Sequence, residues 1–61
     1  MKVEIIRKYM GLKIKIFLNN NLIFSGKILK LSDDSLIFLD KNNAEIAIEN
    51  SSIISIIPLE V

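Results

Sequence analysis

From Leu12 onward the sequence is a succession of short apolar-rich runs separated by clusters of Asn, Asp and Ser. Runs with a two-residue period read as β-strands, and the polar clusters between them read as turns. That punctuation leaves no room for a long helix after residue 11. It predicts strands over Leu12–Leu18, Leu22–Leu31, Leu36–Asp40, Ala44–Ile48 and Ile53–Ile57. Asn19, Asn20 and Asn21 make the first turn, because Asn tolerates positive φ and hydrogen-bonds its own backbone. Ser32 to Ser35 and Lys41 to Asn43 make the next two. Glu49 to Ser52 is a short turn or a single turn of 3₁₀ helix, and Pro58 stops the last strand.

Before the strands, Val3 to Met10 reads as a short helix. Ile5 with Tyr9, and Ile6 with Met10, are four residues apart and share a face. Gly11 is suited to the C-terminal cap, since it enters the left-handed region without steric cost. Two turns of helix are marginal alone, so this one must dock on the strands.

Two strands decide how the others close. In Leu22–Leu31 strict alternation puts Leu22, Phe24 and Ile28 on one face and Ile23, Leu29 and Leu31 on the other, so neither face is polar. Gly26 near its middle marks a bend or close backbone approach. A strand bent there and shared between two sheets of a small barrel accounts for the pattern. In the last strand Ile54 and Ile56 point one way, and Ile53 and Ile57 the other with Ser55 between them. An edge strand apolar on both faces templates aggregation unless something covers it. One short helix and five short strands outline a single domain over residues 1–61, a mostly β, strongly bent SH3-like barrel spanning about 12–58.

Composition bears on what covers that strand. A chain of 61 residues buries only about 60% of its unfolded surface, so small domains depend on disulfides, metals or self-association. With neither Cys nor His, disulfides, thiolate zinc sites and the commonest metal ligand are excluded. Oligomerisation remains, and a hydrophobic content of 51% exceeds what one core this small readily encloses. The alternative is that the helix covers the last strand within one chain.

The net charge of +1 conceals a division of the chain. Residues 1–31 carry Lys2, Arg7, Lys8, Lys13, Lys15, Lys27 and Lys30 against Glu4, a net of +6. Residues 32–61 carry Asp33, Asp34, Asp40, Glu45, Glu49 and Glu60 against Lys41, a net of −5. Either the molecule is polarised, with a basic surface able to meet phosphates, or the halves pair with each other. In the first strand Ile14, Ile16 and Leu18 share one face, while Phe17 stands with Lys13 and Lys15 on the other. A phenylalanine among lysines is filler, a contact with another copy, or a platform for a ligand.

The segments IKIFLNNNLIFSGKIL, LSDDSLIFLD and EIAIENSSIISIIP resemble the Hfq/Sm-like family of RNA-binding proteins, with the bacterial Hfq branch nearest. The resemblance runs from about Lys8 to Pro58. It implies a ring of six or seven copies, with strand four of one subunit pairing with strand five of the next. The subunit interface would then draw on Ile46, Ile48, Ile53, Ile54, Ile56 and Ile57. Phe17 falls at the family's base-stacking aromatic, and Leu22 and Phe24 at the apolar positions beside it. Arg7 and Lys8 are rough counterparts of the basic rim, and Lys13, Lys15 and Lys27 are candidate phosphate contacts. At the pore the chain departs from the family. Glu49 and Asn50 stand where a cation is usual, next to Asp33 and Ser35. Negative charge there opposes RNA.

Nothing in the sequence supports catalysis. The serines have no histidine partner, and adjacent Asp33 and Asp34 read as a solvated turn. No phosphate-cradling glycine loop occurs. The expectation is therefore a cytoplasmic ring that binds single-stranded RNA, with no enzyme activity, metal, cofactor, small-molecule substrate or membrane span. The competing expectation is an oligomerisation or protein-interaction module on the same barrel without a nucleic-acid ligand.

Overall fold

The computed structural model describes residues 1–59. A short helix α1 (Val3–Arg7) precedes β1 (Ile14–Leu18), β2 (Ile23–Leu31), β3 (Ser35–Asp40), β4 (Glu45–Glu49), a 3₁₀ turn η1 (Asn50–Ser52) and β5 (Ile53–Pro58). The strands form one antiparallel sheet in the order β4-β3-β2-β1-β5. The protein is thus mostly β with an N-terminal helix, as the sequence pattern predicts. The sheet is not closed into a complete barrel. β4 and β5 are consecutive in sequence yet remain its two edges, joined only through η1.

The helix is shorter than its apolar spacing implies. It stops at Arg7 with Lys8 still right-handed at the cap, and the chain continues as tight turns. Tyr9 donates to the Ile6 carbonyl, Met10 to Arg7 and Leu12 to Tyr9, bonds that each span three residues and tighten the helical path. Gly11, at φ 79, ends these turns rather than the helix itself. Ile6 is fully buried and docks the helix, with Met1 and Tyr9 packed against the core, while Ile5 and Met10 remain exposed. The first strand also begins later than expected, leaving Leu12 exposed.

Two β-bulges correct the strict alternation read from the sequence. Between β2 and β3 the register shifts from Ile28 opposite Phe38 to Lys30 opposite Ile37, so Leu29 is the extra residue. Between β1 and β5 it shifts from Phe17 opposite Ser55 to Leu18 opposite Ile53, so Ile54 is the extra residue. Each bulge expels one apolar side chain and returns the next to the core. Leu29 and Ile54 are exposed, whereas Ile28 and Ile53 are buried and Leu31 packs against the core. A bulge also bends its strand and increases local twist, which curls this sheet around its contents.

The core is the inward face of that curl: Ile14, Ile16 and Leu18 from β1, Ile28 from β2, Leu36 and Phe38 from β3, Ile48 from β4, Ile53 and Ile56 from β5, with Ile6 from α1. Gly26 is where β2 bends most tightly. A Cβ there, at φ 155, would lie 1.9 Å from the Leu39 carbonyl oxygen. Only glycine fits so close to the neighbouring strand.

Candidate nucleic-acid interface

β1 lies between β2 and β5, so its outward side chains sit mid-sheet rather than at an edge. Lys15 faces Ser25 on one side and Ile57 on the other, and Phe17 faces Ile23 and Ser55. Both Lys15 and Phe17 are half-buried by these neighbours, and Lys13 is exposed. The result is an outward row of two lysines and an aromatic ring, bordered by the exposed apolar side chains of Ile23 and Ile57. The cross-strand register places no carboxylate opposite the strand lysines. Lys15 meets Ser25 and Ile57, Lys27 meets Leu39, and Lys30 meets Ile37. Charge on this side of the sheet is therefore not neutralised by direct cross-strand pairs.

Phe24 does not join Phe17. It lies opposite Ile16 in the β1–β2 register, a fully buried residue, and packs against the core. Alternation thus places the two rings on opposite sides of the sheet, and one chain cannot sandwich a base between them. Leu22 is exposed at the end of the β1–β2 turn. Together with Phe24 it lines a groove facing Ile46, Ala47 and Ile48 of β4. The predicted stacking set therefore divides into Phe17 on the outward face and Leu22 with Phe24 beside the open edge of β4.

The pore-side candidates do gather, at the start of β3. Ser35 pairs with Glu49 across β3 and β4, and an open cleft of about 670 Å³ is lined by Asp33, Asp34, Glu49 and Asn50, with Glu4, Lys2 and Met1 from the N-terminal segment. Asn50 is a fastener here, at 3% exposure. Its Nδ2 donates to the Ser32 carbonyl at 2.9 Å and the Asp33 carbonyl at 3.1 Å, while its backbone N–H donates to Asp34 at 2.9 Å. The Met1 amino group donates to the Asn50 carbonyl at 2.7 Å. Asn50 Oδ1 is buried without a hydrogen-bond partner among the described residues. These bonds tie η1 to the β2–β3 turn, so Asn50 is not displayed for a ligand. Sequence periodicity carries no signal for such a role, because the turn it fastens lies 18 residues away.

Of the predicted interface residues, Ile48, Ile53 and Ile56 belong to the core of a single chain, and Ile46 packs against it. Ile54 at 62% and Ile57 at 46% exposure are the side chains of that set left outside. Arg7 and Lys8 are exposed at the end of α1. Among the described residues no group of three or more His, Cys, Asp or Glu is placed to hold a metal ion, and no helix is long and apolar enough to cross a membrane. Compared with family models and with curated proteins, the sequence matches none.

Proposed function

We propose that this chain is a subunit of an Sm/Hfq-like ring that binds single-stranded RNA through the outward face of β1. The observation that carries the reading is the row Lys13, Lys15 and Phe17 with no carboxylate across from Lys15. Lysines attract phosphates, and a base stacks on an aromatic face for about 1–3 kcal/mol whatever its sequence. Two open sheet edges support the ring. β4 and β5 each lack a neighbour on one side, and pairing β4 of one copy with β5 of the next would cover both. In such a ring Leu22 and Phe24, set beside β4, would face the incoming subunit or a base held between subunits.

Fluorescence anisotropy with A-rich and U-rich oligonucleotides at about 50 mM salt tests the reading. Binding is expected, and Phe17→Ala should weaken A-rich binding more than U-rich binding. Failure to bind either oligonucleotide would sink it, and unchanged affinity for both on Phe17→Ala would remove Phe17 from the interface. Light scattering should give a mass of six or seven chains; a monomer would count against the ring. The second reading, an interaction module without nucleic acid, draws on the acidic cleft and on exposed Leu22, Ile23, Ile54 and Ile57, since apolar patches mark interfaces. A preparation free of 260 nm-absorbing material that captures one specific protein would favour it.

A further inference from the structure

A second groove, of about 480 Å³, lies at the opposite end of β3 from the acidic cleft. Lys13 lines it from just before β1, Lys27 from β2 just past the bend, and Lys41 from the β3–β4 turn, beside Gly26, Leu39 and Leu59. We propose that this groove holds the phosphodiester backbone of single-stranded RNA, separately from the bases at Phe17. The proposal rests on the RNA reading above and adds Lys41, which the sequence pattern did not single out.

Three features favour a phosphate chain here. The lysines come from three different segments yet border one groove, although Lys41 belongs to the acidic half of the sequence. The one carboxylate lining the groove among the described residues, Asp40, turns Oδ1 into its own turn. There it accepts the backbone N–H groups of Asn42 and Ala44, each at 2.9 Å. Leu39, Leu59 and the bare backbone of Gly26 line the groove beside Ser25 and Asn43, so lysine stems can lie along apolar surface while their ammonium groups reach the ligand. Lys13 also begins the outward row of β1, with Lys15 about 7 Å and Phe17 about 14 Å further along the strand. The groove is thereby continuous with the base-stacking face, which favours a nucleic-acid backbone over the acidic end of a second copy.

Amide NMR of the full chain, titrated with inorganic tripolyphosphate and then with an oligoadenylate, tests the proposal. Tripolyphosphate should shift the amides of Gly26, Lys41 and Asn43 saturably and leave that of Phe17 in place. In the double variant Lys27→Gln, Lys41→Gln, the slope of log K against log salt should fall by about 1.4, equally for A-rich and U-rich RNA. RNA binding with an unchanged slope would overturn the groove and leave the Phe17 reading standing. Tripolyphosphate binding by a chain that binds no RNA would overturn both the RNA reading and this occupant. Groove shifts that grow with protein concentration, before any phosphate is added, would identify the acidic end of another copy instead and also overturn it.

Discussion

The two ends of β3 hold opposite charge and are built in opposite ways. At Ser35 the chain is fastened: Asn50 spends both Nδ2 hydrogens and its backbone N–H on the β2–β3 turn. At Asp40, about 17 Å along the strand, three lysines line a groove whose one lining carboxylate among the described residues has an oxygen committed to a turn. One end uses its polar groups to hold the fold; the other leaves charge available for a partner. Acidic Glu4 belongs to the first end and basic Lys41 to the second. The spatial division therefore cuts across the sequence division, and Glu60 lies outside the described residues.

Substitutions can break this contrast. The largest effect is expected at Gly26, the backbone element of the basic end. Gly26→Ala must displace the Leu39 carbonyl and adopt an unfavourable φ, a cost of about 3 kcal/mol or more. For a domain this small that is much of its total stability, so loss of the cooperative thermal transition by circular dichroism is expected. Asn50→Ala comes next. It deletes two part-buried hydrogen bonds but also the unpaired Oδ1, so a loss of about 2 kcal/mol in urea unfolding is expected. A loss near zero would deny the acidic end its fastening role. The exposed groups should cost least. Lys27→Gln, Lys41→Gln and Asp33→Asn should each change stability by less than about 0.5 kcal/mol, with the lysine changes registering in RNA affinity instead. A lysine substitution as costly as Asn50→Ala would show that the basic end is structural too.

The strands, their turns and the bend at Gly26 were legible because each rests on local chemistry: period-two apolar runs, Asn and Ser in turns, a glycine where strands approach. The bulges at Leu29 and Ile54 were not. A bulge is a property of two strands together, and a run with isoleucines on both faces, such as IISII, does not fix the register by itself. The misplacement of Leu31 and Ile56 follows from that. Phe24 takes a ligand role only through its place in a family pattern; alternation sets it on one face with Ile28, and it is the packing that makes this face the core side. Asn50 was legible as a polar turn residue but not as a fastener, since its partners lie in a distant turn. Phe17 on the lysine face was legible outright, because β1 carries no bulge before it.

The strand order has a consequence for how the chain comes together. β1 through β4 form an uninterrupted meander of neighbouring hairpins, contacts that close quickly because little chain must be ordered first. β5 alone pairs with a strand distant in sequence, placing Pro58 beside Ile14. Until it does, β1 is itself an edge, with Phe17 and Ile16 lacking a neighbour on that side. As the chain emerges from the ribosome, N-terminus first, the strand proposed to meet RNA is the one whose shelter is synthesised last.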